Sequence, residues 1–227
     1  MNCLIFVQNY PPEIGPVRYT YDLANTLYKA GNKISVVTEF PHYPTGQNYS
    51  GFEKNNLTIR NENGIEVIRV PVLRAPNTSP FKRILGFFTF FISSIPQLIK
   101  NRNADIIIVS IPSFITLYLG ILGKFLFGIP FIVLLRDIEP YDSLFQRGLI
   151  NNRFVAFLVK FFTKSYSLAD AIVTVCPGQS DTIRKLGVTN NRVELITRPI
   201  SLTFFNEAPA LPGENNNSMN RGNIKGL

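Results

Sequence analysis

Apolar positions along this chain follow two alternating patterns. Short unbroken runs, at Asn2–Gln8, Lys33–Thr38, Asp105–Ser110, Phe131–Leu135 and Ala171–Val175, place β-branched and large aliphatic side chains at consecutive positions. Such runs predict strands buried on both faces, the condition of a parallel sheet. Between the first two, Val17, Tyr21, Ala24, Leu27 and Tyr28 recur at helical spacing from about Pro16 to Ala30. Pro16 suits the first helical position, where no N–H is missed, and Gly31 supplies a left-handed stop. Further helices are predicted near Pro80–Lys100, Ser113–Phe127, Asn152–Ser167 and Gly178–Leu186, with a last strand at Arg192–Ile196. Leu57–Arg60 and Ile65–Val70, joined through Asn61-Glu-Asn-Gly64, read as a hairpin with an Asn-Gly turn. Strand and helix alternating in this way predict a doubly wound, Rossmann-like α/β domain with a parallel sheet over residues 1–205. From Asn206 the apolar period is lost, and residues 206–227 read as a disordered or irregular tail.

One stretch tests this reading. Ile106–Gly123 is 18 residues without a charge, the length at which a membrane span must be considered. Pro112 divides it into a β-branched run and a helix-like part, Lys124 interrupts, and Gly128-Ile-Pro130 turns the chain into Phe131–Leu135. Strand, helix and strand in that order read as one buried βαβ unit. The opening Met1–Gln8 lacks a basic region and reads as a first strand, not a leader.

The 227 residues are 45% apolar and 17% charged, enough for a packed core of about one domain. Cys3, Cys176 and the single His42 exclude a disulfide scaffold and a Cys- or His-rich metal site, and suit a reducing compartment. The net charge of +8 points to an anionic partner. Residues 80–165 hold ten Lys and Arg against four acids, in the stretch that also carries most of the phenylalanine. Basic residues interleaved with Phe favour an anionic membrane surface, and no nucleic-acid-binding motif supports the other choice. Two predicted helices carry this pattern: Phe81–Lys100 with Phe87, Phe88, Phe90 and Phe91, and Arg153–Lys164 with Phe154, Phe157, Phe161 and Phe162. Both are apolar over more than one face, so they are expected to touch the membrane while some rings pack on the sheet.

Candidate chemistry gathers after the strands. Pro11-Pro-Glu13-Ile-Gly15-Pro16 lies between the first strand and helix, beside the crevice at which doubly wound folds bind ligands. A helix N-terminus there offers N–H groups to an anion, but a rigid Pro-bounded loop without a ligand fits equally. Only Gly15 of a G-x-G-x-x-G pattern is present, which argues against a nicotinamide or flavin site. His42 follows the second strand in Phe40-Pro-His-Tyr-Pro-Thr-Gly46, where an imidazole could hydrogen-bond a ligand hydroxyl or simply pack beside Tyr43. Asp137 follows Phe131–Leu135, where a carboxylate could orient a ligand hydroxyl or balance developing positive charge, or pair with Arg136 or cap the next segment. Asp137 and Glu139 form a poor metal pair because Pro140 follows.

These motifs, in this order, resemble family-4 glycosyltransferases. The likeness rests on Pro-Pro-x-x-Gly after the first strand, Tyr21–Leu27 ending in Gly31, the Phe40–Gly46 loop, Arg136-Asp-Ile-Glu-Pro140, and Ala169-Asp170 leading into Val173-Thr-Val-Cys-Pro-Gly178. It covers about residues 1–200 and looks closest to the branch that builds bacterial surface polysaccharides. The resemblance implies the N-terminal domain of a GT-B enzyme, in which two Rossmann-like domains face across a cleft, the first handling the acceptor and the second the nucleotide sugar. The chain departs from the family at Pro16, where a second Gly is usual, and at Thr197–Ser201, where Pro-Asn-Gly-hydrophobic-Asp is common. No Glu has a second Glu eight positions on, so the donor-contacting pair of the second domain has no match here.

The function this resemblance implies is that of the acceptor-side half of a retaining glycosyltransferase, moving a sugar from a nucleotide-sugar donor to a lipid-linked glycan and inactive alone. Glu13, Gly15, His42, Tyr43 and Arg136 would bind substrate, and Asp137 would orient the acceptor. The nucleotide sugar is a co-substrate, and no metal or other cofactor is expected. The expected partners are the lipid-linked glycan, the anionic membrane and a separate C-terminal donor-binding domain. The expected place is the cytoplasmic face of the plasma membrane, peripherally bound. The alternative is a non-catalytic, membrane-docked module that recruits a donor-binding partner.

Overall fold

The computed structural model describes residues 1–13, 18–42, 46–47, 49–52, 56–73, 80–111, 114–138, 141–142, 152–188 and 192–197, with backbone alone at 80–84, 114 and 158. Gly15, Tyr43 and the tail at 206–227 lie outside the described residues. The elements are β1 Asn2–Phe6, α1 Arg18–Lys29, β2 Lys33–Glu39, β3 Thr58–Glu62, β4 Ile65–Val70, α2 Pro80–Lys100 and β5 Ile106–Ile111. They continue with α3 Phe114–Phe127, β6 Phe131–Leu135, α4 Arg153–Ser165, β7 Ala171–Thr174, α5 Pro177–Lys185 and β8 Arg192–Leu195. A 3-10 turn, Tyr166–Leu168, links α4 to β7.

The strands form one sheet in the order β3-β4-β2-β1-β5-β6-β7-β8. Every neighbouring pair is parallel except the β3–β4 hairpin. That hairpin turns at Asn63 and Gly64, both left-handed at φ 54° and 88°, as the Asn-Gly signal requires. The chain runs outward from β1 to β2 and β4, then α2 carries it back to β5 on the other side of β1. Direction therefore reverses between β1 and β5, and the crevice outside their carboxyl ends is the place where such sheets take ligands. A buried hydrogen bond closes its floor, Thr20 Oγ1 of α1 to Ser110 Oγ of β5 at 3.1 Å.

The period-2 alternation of each strand divides the core in two. Leu4, Phe6, Val109, Phe131 and Val133 point to one face, which Phe90 and Leu98 of α2, Leu117 and Leu119 of α3 and Ile183 of α5 cover. Cys3, Ile5, Val7, Val36 and Ile108 point to the other, where α1 contributes Ala24. The handedness of parallel crossovers produces this split. α1 steps from β1 toward β2, whereas α2, α3 and α5 each step the opposite way along the sheet.

The charge-free stretch is thus a strand and a helix laid against the sheet. α3 approaches closely because it presents glycine at its contact: a Cβ on Gly120 would stand 2.6 Å from the Phe131 ring, and one on Gly123 2.3 Å from Ile107 Cδ1. Among the described residues no helix is long and apolar enough to cross a membrane. The α2 phenylalanines serve mainly the core. Phe90 is fully buried, Phe87 and Phe91 pack half-buried on the same cluster, and among the described side chains only the Phe88 ring is exposed.

Asp170, in the Ala-Asp pair ahead of β7, stitches the opposite edge of the sheet. Its carboxylate accepts the Phe131 N–H at 2.9 Å and Lys124 Nζ at 2.7 Å. Burial opposes its charge, but the hydrogen bonds from Lys124 and Phe131 and the Lys124 charge outweigh it and hold the carboxyl below the usual aspartate range.

Candidate functional site

Two polar clusters stand at the carboxyl edge of the sheet, one on each side of the β1–β5 crevice. The first begins with Glu13, in the turn that leaves β1 past the cis Pro11–Pro12 bond. Glu13 is buried, and its carboxylate accepts the His42 N–H at 2.8 Å and Asn9 Nδ2 at 2.9 Å. A side chain from the loop after β1 therefore holds the backbone of the loop after β2. His42 is 9% exposed, with Nδ1 2.9 Å from the Phe40 carbonyl and 3.9 Å from Glu39 Oε1. A carbonyl oxygen only accepts, so the tautomer with its proton on Nδ1 suits this contact and leaves Nε2 as the ring's acceptor nitrogen. The structure thus anchors His42 by its backbone and one ring nitrogen.

Residues that the sequence pattern did not single out complete this cluster. Glu39, buried at the end of β2, accepts Gln8 Nε2 at 3.2 Å, and Thr38 Oγ1 donates to the Gln8 carbonyl at 2.9 Å. Arg69 of β4 is 1% exposed; it donates to Glu62 Oε1 at 2.7 Å and to the Pro11 carbonyl at 2.6 Å. Its guanidinium also lies 5.0 Å from the centre of the Phe52 ring. Arg69 therefore pins the Pro-Pro turn to the far strands of the sheet. A signal was available in the sequence: Arg69 interrupts the apolar run Ile65–Val70, and an interior cation needs partners. Burial, then the nearby Glu62 carboxylate, pushes the Tyr10 hydroxyl far above its ordinary pKa.

The second cluster leaves β6. Arg136 Nε donates to the carbonyl of Ile111, the last residue of β5, at 3.0 Å. Gln179 of α5 donates to the Arg136 carbonyl, and its own amide oxygen accepts the Val175 N–H at 3.2 Å. Three strands thereby fix the backbone just ahead of Asp137. The Asp137 side chain is exposed, yet partial burial raises its carboxyl above the usual aspartate range; Arg136 counters this and Asp142 adds to it. The capping role falls to Asp142, whose carboxylate accepts the Ile138 N–H at 2.6 Å.

The structure brings Glu13 and His42 into contact, and sets Arg136 beside Asp137 on the other side of the crevice. His42 and Asp137 follow β2 and β6, with β1 and β5 between them, so three strand spacings of about 4.8 Å separate their strands. They flank the crevice without forming a pair. Among the described residues no three His, Cys, Asp or Glu side chains converge as metal ligands.

Comparison with known proteins adds to this geometry. The model of Glycosyltransferase Family 4 matches residues 15–204. HepE of Anabaena, solved in complex with UDP-glucose, superposes with a TM-score of 0.54 at 11% identity, over 90% of this chain and 46% of that one. A ugt transferase from Siraitia grosvenorii, solved in complex with UDP, gives 0.53 at 11% identity over 86% and 50%. At such identity the likeness is one of fold, the Rossmann-like layering of GT-B glycosyltransferases. The chain spans about half the length of these solved structures. No curated protein matches it.

Proposed function

The chain belongs to glycosyltransferase family 4, and we propose that it forms the acceptor-side half of a retaining sugar transferase that extends a lipid-linked glycan. The observation that carries this reading is the pair of polar clusters facing each other across the β1–β5 crevice, each held from several strands. Both solved proteins named above were captured with UDP or a UDP-sugar, which supports a nucleotide-sugar donor. In transfer, an acceptor oxygen bonds to the anomeric carbon, the bond from that carbon to the nucleotide diphosphate breaks, and the acceptor proton leaves with the diphosphate. On this side of the cleft, His42 Nε2 would accept a hydrogen bond from an acceptor hydroxyl other than the attacking one. The Asp137 carboxylate would orient a second hydroxyl of the acceptor. Glu13 and Arg69 act through the loops they hold and are positioning residues. The lipid carrier places the work at an anionic membrane surface, taken here as the inner face of the plasma membrane.

Donor grip requires a second wall, so these residues should bind acceptor and not donor. Calorimetry on the chain with UDP-glucose and with a short-chain lipid-linked saccharide tests the assignment. The saccharide should bind, with affinity lowered about tenfold in Asp137→Asn, and UDP-glucose should give no heat. Micromolar UDP-glucose affinity with no response to the saccharide would overturn the acceptor-side reading.

A further inference from the structure

α4 turns most of its phenylalanines to solvent, where α2 buries the ring at its centre. Phe154, Phe157 and Phe161 are 68%, 64% and 60% exposed, whereas Phe90 at the centre of α2 is 0% exposed. Other residues form the inward face of α4: Val159 and Thr163 are buried, and Phe162 meets the Tyr118 ring edge-on at 6.4 Å. At about 100° per residue, Phe154, Phe157 and Phe161 form one narrow row along the helix. Arg153, Lys160 and Lys164, all exposed, form a second row directly beside it. The helix contains no acidic residue. α2 also exposes an apolar row, Leu85, Phe88, Ile92 and Ile99, but no charged residue stands between positions 84 and 99.

We infer that the outer face of α4 is the membrane-docking surface, with the three phenylalanines entering the headgroup boundary of an anionic bilayer and the three basic residues resting on its phosphates. Charge complementarity selects this occupant. An adjoining cationic row on an all-basic helix suits an anionic lipid sheet, and aromatic rings suit its interface. The topology gives the docking a direction. The far end of α4 lies at the sheet's amino edge, where Lys124 Nζ reaches the Leu168 carbonyl at 3.0 Å. Its first turn, with Arg153 and Phe154, therefore lies toward the carboxyl edge, on the side of the crevice occupied by Arg136 and Asp137. A bilayer held along α4 meets the domain beside the mouth through which a lipid-borne acceptor would enter. This orientation rests on the acceptor-side reading above; the docking itself does not.

Vesicle co-sedimentation of the full chain, without donor or acceptor, separates the two. The chain should pellet at low salt with vesicles one-third phosphatidylglycerol in phosphatidylcholine, and stay in solution with phosphatidylcholine alone. The triple change Phe154→Ser, Phe157→Ser, Phe161→Ser should lower partitioning at least about 30-fold. The pair Lys160→Glu, Lys164→Glu should lower it about tenfold and flatten its salt dependence. Phe88→Ser with Ile92→Ser on α2 should change it less than about twofold. Circular dichroism should be unchanged in all three, because every altered side chain is exposed. A wild-type chain left wholly in the supernatant overturns the proposal, and so does a triple variant that still pellets. A dimer in lipid-free solution that the triple variant dissolves would assign the face to a second copy instead. None of these results depends on sugar transfer, so a chain that docks yet ignores the saccharide would refute the acceptor reading alone.

Discussion

The two sides of the β1–β5 crevice use polar side chains in opposite ways. On the β2 side, the Glu13, Glu39 and Arg69 side chains are buried, and neighbouring loops and strands engage each of them. On the β6 side, Arg136 is committed to the sheet but the Asp137 carboxylate reaches solvent with its acidity weakened. The contrast separates architecture from availability. A buried carboxylate whose oxygens meet internal donors stabilises the loops it joins, and removing it leaves those donors stranded. An exposed, partly shielded carboxylate contributes nothing comparable to the fold and keeps its oxygens for a ligand.

Mutations should break this contrast in a graded way. Arg69→Ala should have the largest effect, a loss of about 3 to 4 kcal/mol in urea unfolding, because it empties a buried site and frees the Pro-Pro turn. A loss under about 1 kcal/mol would mean that the turn is held by other contacts. Glu13→Ala should cost about 2 to 3 kcal/mol, since the buried His42 N–H and the Asn9 amide lose their acceptor. Asp137→Asn should change stability by less than about 1 kcal/mol at neutral pH, in the stabilising direction. If it destabilised the chain as much as Glu13→Ala does, the two sides would not differ.

The pH dependence sharpens the comparison with the smallest effects. Asp170 has its carboxyl lowered on folding, so the stability it contributes is present above the unfolded value of about 3.9 and is lost as pH falls through its folded value. Asp137 is raised, so its contribution has the opposite sign: present at acid pH, lost as pH rises through its folded value. In urea midpoints measured from pH 7 to pH 3, the deficit of Asp170→Asn should shrink toward acid. The small advantage of Asp137→Asn should vanish over the same interval.

The fold was legible because its determinants are local or periodic. Phe131–Leu135 needs only its own run of apolar residues to declare a buried strand, and Pro80–Lys100 its helical spacing; both stand at the expected boundaries. The sheet order is set by short connections and crossover handedness. The phenylalanines were half legible. Position along the sequence marks Phe87 to Phe91 and Phe154 to Phe162 alike as aromatic and near basic residues, but only packing decides that Phe90 is interior and Phe157 exterior. The polar clusters were least legible, because their partners are remote. Glu13 meets His42 across 29 positions and Arg69 meets Pro11 across 58. No local pattern carries that pairing, although a cation inside an apolar strand does announce that a partner must exist. The placement of Gly15 and Tyr43 falls outside the described residues.

Gln179 bears on how any ligand of Asp137 would be chosen. By holding the Arg136 carbonyl and the Val175 N–H at once, while Arg136 itself grips Ile111, it ties together the ends of β5, β6 and β7 around a single peptide unit. The backbone under Asp137 is therefore fixed, and only its own side-chain torsions are left to follow a guest. If it meets a sugar, a hydroxyl within the short arc of those torsions is held and one on the opposite face of the ring is out of reach, so stereoisomers differing at that carbon should be told apart.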